Sequence, residues 1–123
     1  MTVALGVGLA GIIGALARYL VDGAVQDRTS GTFPAGTMVV NLAGSLVLGV
    51  VTGLTWYHGL GHAPKAVVGA GFCGAFTTWS TVSWETVRLA GYGERSQAVV
   101  HLVGGVAACL AIAAAGMAVS AVL

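Results

Sequence analysis

The sequence predicts an all-α integral membrane protein with four transmembrane helices. Three observations carry that expectation. Apolar residues make up 57% of the 123-residue chain, and glycine contributes another 20 positions. Charged residues amount to only 7%, against roughly 25% in soluble domains, too few to coat a soluble fold of this size. Four stretches reach the roughly 20 mostly apolar residues that a bilayer-crossing helix needs. A net charge of +1 implies no polyanionic partner, so no nucleic acid is expected; the lipid bilayer is.

The first span covers about residues 3–21 and is uncharged until Arg18. It has no basic n-region and is longer than a usual signal-peptide h-region, so it reads as a membrane span rather than a cleaved leader. The second, about 34–56, carries no charge and opens at Pro34, where the missing N–H costs a helix nothing. A third, about 66–88, ends in Glu85 and Arg88, and a fourth, about 98–121, is uncharged. The remaining charges and turn formers fall between them, which predicts a single four-helix domain with short loops. Lys65 stands alone on one side of this arrangement, and Arg28, Arg88 and Arg95 on the other. That bias favours both termini outside, but only by a few charges. Cys73 and Cys109 lie within spans without disulfide or zinc spacing and read as buried thiols.

Small-residue faces (Gly6, Gly11 and Gly14 in the first span; Gly44, Gly49 and Gly53 in the second) predict close helix packing. Polar residues inside the spans say more, because each costs energy in hydrocarbon unless it finds a partner. Thr37, Asn41 and Ser45 recur every four residues and share a helix face with Thr52. Asn41 either makes an interhelical hydrogen bond or lines a polar route. Thr77, Thr78, Ser80, Thr81 and Ser83 form a dense hydroxyl cluster preceded by Gly69, Gly71 and Gly74. On a continuous helix these hydroxyls would bond back to the preceding turn. The alternative is a helix that breaks inside the membrane, tolerated only where the unwound backbone is buried or lines a cavity. Freed carbonyls would suit a hard cation such as Na⁺, and hydroxyl and amide hydrogens a small anion.

Two other patterns carry less. Gly69, Gly71 and Gly74 spell a dinucleotide-like GxGxxG, but no soluble βαβ unit surrounds it. His58 and His62 lack a nearby carboxylate and read as solvated. Glu85 and Arg88 are three apart and predict an intrahelical ion pair, with a charged vestibule as the alternative. Arg18 can reach the interface by snorkelling.

The chain resembles the Fluc (CrcB) fluoride channels over essentially its whole length. Gly11, Gly14, Ala15, Arg18 and Tyr19 are similar to the family's first-helix signature, and Pro34, Gly36, Thr37, Asn41, Gly44 and Ser45 to its second. Residues 71–85 look like its third-helix break. The resemblance implies an antiparallel, dual-topology dimer in the cell membrane that exports fluoride passively. It also implies a structural, non-transported Na⁺ at the dimer interface, held by backbone carbonyls at the positions of Gly74 and Thr77. Asn41 falls on the pore-lining asparagine, and Arg18 and Glu85 on charged positions near the pore mouths. Together with the hydroxyl cluster, this assigns a fluoride pathway of Asn41, Trp79, Thr78, Ser80, Thr81 and Thr37.

Two departures stand out. The family's aromatic pair at the break reads Trp79 and Val82 here, and a tyrosine and serine of its fourth helix align with His101 and Gly105. They raise the alternative of one protomer in a heterodimer with a paralogous subunit, beside the homodimer. A non-conducting subunit shares every other feature. A multidrug-type exporter would be expected to carry an acidic residue deep in a span, and all four acids lie at span ends or in loops. An enzyme would need converging titratable groups, which the spans do not offer.

Overall fold

A computed structural model describes residues 1–123, and every regular element in it is helical. Helix α1 covers Thr2–Gln26, α2 Ala35–His58 and α5 Arg95–Val122; these three are long and apolar enough to cross a membrane. Between α2 and α5 the chain divides into α3 (residues 62–76) and α4 (Trp79–Gly91), separated by the extended residues Thr77 and Thr78. Neither piece alone has the roughly 20 residues that a crossing requires. Within α3, Ala66–Cys73 winds in the wider π register, as does Val100–Gly104 within α5. Such turns displace side chains relative to the α-helical repeat, and no residue pattern in the sequence announces them.

Turn chemistry follows ordinary rules. Pro34 immediately precedes α2 and its carbonyl accepts from the Met38 N–H at 3.2 Å. Gly59, with φ +67°, closes the other end of α2 in the left-handed conformation that glycine adopts without cost. Just before it, the exposed His58 ring lies 2.7 Å from the Ser120 carbonyl, tying the ends of α2 and α5 together. His58 is therefore a tether as well as a solvated side chain.

The most extensive contact runs between α2 and α5, and α1 packs against α3. Glycine permits the closest approach. A Cβ on Gly49 would collide with the Ala113 carbonyl, and one on Gly116 would stand 2.7 Å from the Leu46 carbonyl. Backbones that meet this closely gain the van der Waals contact that replaces hydrophobic driving force between helices in lipid. Ser120, fully buried in the same seam, donates to a carbonyl, with Val50 and Gly116 both at 3.0 Å. By contrast α1 buries only Gly14 and turns Leu5, Leu9, Ile12 and Leu16 outward. An outer face of this composition suits hydrocarbon.

Candidate ion pathway

The interruption at Thr77 and Thr78 is the centre of the candidate site. Thr77 (φ −81°, ψ 161°) and Thr78 (φ −150°, ψ 123°) are extended, so the helical hydrogen-bond ladder stops there. The Thr77 hydroxyl and N–H both bond back to the Cys73 carbonyl at 2.9 Å, finishing α3. Thr78 starts α4: its Oγ1 accepts from the Thr81 N–H at 3.2 Å as an N-cap and donates to the Thr81 hydroxyl at 3.0 Å. The Ser80 hydroxyl lies 3.3 Å away. Part of the hydroxyl cluster therefore builds the break rather than facing a ligand.

Asn41 on α2 repairs what the break leaves open. Its Oδ1 accepts from the Thr78 N–H at 2.8 Å, and its Nδ2 donates to the Thr78 carbonyl at 3.1 Å. The side chain thus makes the interhelical hydrogen bonds that one sequence reading anticipated. It also lines a cavity of about 460 Å³, together with Ser45, Thr77, Thr78, Trp79, Val82 and His101. An amide has two N–H donors, so one remains beyond the bond to Thr78. Gly44, one turn along, lets the break dock: a Cβ there would collide with Thr77 Cγ2 and lie 3.2 Å from the Phe76 ring.

The break redirects the donors that a continuous helix would send to two carbonyls. The Thr78 N–H goes to Asn41 instead of Gly74, and the Thr81 N–H goes to Thr78 Oγ1 instead of Thr77. The Thr77 carbonyl accepts a long bond, 3.5 Å, from Arg18 Nη1. Arg18 thus reaches inward to the break, whereas snorkelling would have carried it to the interface. Gly74 is exposed, and a Cβ on it would meet nothing nearer than the Gly69 carbonyl at 3.8 Å. These oxygens have the chemistry of hard-cation ligands, but two fall short of the six or more that such ions usually take.

Glu85 departs from the expected ion pair. Its Oε1 accepts from the Thr37 hydroxyl at 3.1 Å, and its Oε2 lies 3.2 Å from His101 Nε2. The Arg88 guanidinium instead sits over the Trp84 ring, 5.0 Å from its centroid. Histidine and threonine reach the carboxylate because α2 and α5 bury it from the other side, with Thr37 2% and His101 1% exposed. Thr37 is consequently a partner of Glu85 and does not line the cavity that Asn41 lines. Of the two altered aromatic positions, Trp79 is 62% exposed and Val82 is buried. Ser83 and Thr86 bond back to the carbonyls four residues earlier, as hydroxyls on a continuous helix do. Cys73 and Cys109 are free thiols. The sequence reading did not pair His101 with Glu85, because the two lie on different helices.

Residues 5–117 match the family described as CrcB-like protein, Camphor Resistance (CrcB). The chain belongs to this family. Several curated relatives carry the name fluoride-specific ion channel FluC. One from Leifsonia xyli is 44% identical over 94% of this chain and 82% of its own length. Another from Cutibacterium acnes is 45% identical, covering 89% and 90% respectively. A third from Natronomonas pharaonis is 44% identical, covering 98% and 96%. The matched residues 5–117 span the break and at least part of every helix described above.

Proposed function

We propose that this chain conducts fluoride passively out of the cell across the plasma membrane. The observation that carries the proposal is the break at Thr77 and Thr78, braced by Asn41 on the wall of an open cavity, in a chain whose relatives are named fluoride-specific channels. Fluoride is small and tightly hydrated, so a route must replace its water with close hydrogen-bond donors. The remaining Asn41 N–H and the hydroxyls of Ser80 and Thr81 supply donors beside the break. The Trp79 ring edge and indole N–H add others. Arg18, drawn to the Thr77 carbonyl, adds positive charge close to the route.

In this reading α3 and α4 together cross the bilayer once, making four crossings. The exposed Gly74 and the cavity half-open beside it are where an inverted second copy would dock. The Gly74 and Thr77 carbonyls, deprived of their helical donors, would hold the structural Na⁺ together with their counterparts in that copy. The ion would supply fixed positive charge and join the two breaks. A heterodimer with a paralogous subunit is the second reading, favoured by the buried Val82 where the family's ring would stand.

Purified protein in liposomes, read with a fluoride electrode, tests the proposal. Fluoride efflux without chloride efflux is the expected result. Flux only in the presence of a paralogous subunit would establish the heterodimer, and no fluoride flux in either case would overturn the channel reading.

A further inference from the structure

The contact between Glu85 and His101 separates two cavities. His101 lines the cavity of about 460 Å³ that holds Asn41 and the break, and Glu85 lines a second of about 600 Å³. The second is bounded by Asp22, Gln26, Thr32 and Arg88, at the end of the bundle where the loops after α1 and α4 lie. The two side chains meet at 3.2 Å, yet Glu85 Oε2 and both ring nitrogens of His101 are buried without an aligned hydrogen bond. The Phe33 ring stands edge-on to the imidazole, 5.7 Å between centroids. Three unsatisfied polar atoms in one buried contact are costly in any protonation state that leaves them unpaired.

We propose that Glu85 and His101 form a proton-binding site in this partition, and that proton uptake there admits the anion; the second half rests on the channel reading above. With His101 neutral the pair carries one negative charge, and one ring nitrogen is a lone pair. Both features oppose an anion. One proton taken from water makes the pair net neutral and turns both ring nitrogens into donors. Nε2–H then faces the carboxylate, and the buried Nδ1–H, which has no acceptor in the protein, becomes a donor that a small anion entering the partition would satisfy. On the Glu85 side stand Asp22 near the end of α1, Asp27 just beyond it, Arg88 from α4 itself and the Tyr92 phenol that follows α4; on the His101 side the only other titratable groups are the Cys73 and Cys109 thiols. Thr37 and Phe33 complete the contact and carry no charge.

The test combines direct titration with flux. Histidine imidazole ¹⁵N resonances of the full chain in lipid nanodiscs are followed from about pH 5 to pH 8, spanning the ordinary histidine range. His58→Gln and His62→Gln variants assign the two exposed rings and leave His101 intact. In parallel, fluoride efflux from liposomes is compared at about pH 5.5 and pH 8, with protein-free vesicles correcting for leakage of hydrogen fluoride. The expected result is a titrating His101 and roughly tenfold greater flux at the lower pH; His101→Gln gives the same flux at both. A His101 ring that does not titrate, or wild-type flux that is equal at both pH values, overturns the proposal. A titrating His101 without flux at any pH supports the proton site and overturns the channel reading instead.

Discussion

Asn41 offers the sharpest test of how the break is held. Replacing it with alanine removes both bonds to Thr78, at 2.8 and 3.1 Å, and leaves that residue's N–H without a partner, while its carbonyl, at the N-cap, keeps the first intrahelical bond of α4. The orphaned N–H costs about 1–3 kcal/mol, so the local structure should lose about that much. Asn41→Asp retains an acceptor for the Thr78 N–H but sets a second oxygen against the Thr78 carbonyl, so its cost should fall between wild type and alanine. Hydrogen–deuterium exchange of the Thr78 amide reads this directly, because exchange there reports local opening. At about 1.4 kcal/mol per tenfold, Asn41→Ala should speed that exchange by at least about fivefold, with the rest of α2 little changed. Asn41→Asp should also abolish fluoride flux, since it places a carboxylate on the route. Thr78 exchange that stays within about twofold of wild type in Asn41→Ala would refute the bracing role.

Two further substitutions probe the packing and the outer face of the break. In Gly74→Leu the new Cβ makes only an ordinary van der Waals contact within this chain, 3.8 Å from the Gly69 carbonyl, so the single chain should fold normally, while its pairing on size-exclusion chromatography and its flux are lost; a Gly74→Leu protein that pairs and conducts normally would place the Na⁺ ligands elsewhere. Gly49→Leu should force α2 away from α5, since even its Cβ collides with the Ala113 carbonyl and stands 2.9 Å from the Ala113 Cα; overpacking of this kind costs about 1–3 kcal/mol, and an unchanged melting temperature in detergent would contradict the close approach.

The two readings open for Asn41 show what a sequence can and cannot reach. Four-residue spacing was enough to place Thr37, Asn41 and Ser45 on one helix face, and the density of hydroxyls beside glycines left a continuous helix and a broken one both open until the family resemblance favoured the break. It was not enough to say what each polar group bonds. Thr37 turned out to serve Glu85, 48 residues away, and Asn41 serves Thr78, 37 residues away. The same distance hid His101. Its resemblance-based alignment marked it as a departure, but only docking of α5 against α4 set it beside a carboxylate. Glu85 and Arg88 show the reverse case, in which a local rule proposed a partner three residues away and a tertiary contact supplied others.

The sequence by itself determined the solvent and the material: a chain this apolar, with so few charges, suits lipid as helices, because a helix pairs nearly every backbone amide locally. Its glycines also determined where helices can touch, since a missing Cβ is a property of one position. Only the tertiary structure decided which polar atoms meet. A helix presents a face, but the partner of a buried donor lies on another helix, at a register that depends on how both pack, so Asn41 found Thr78 and Glu85 found His101 only once α2, α4 and α5 had closed together.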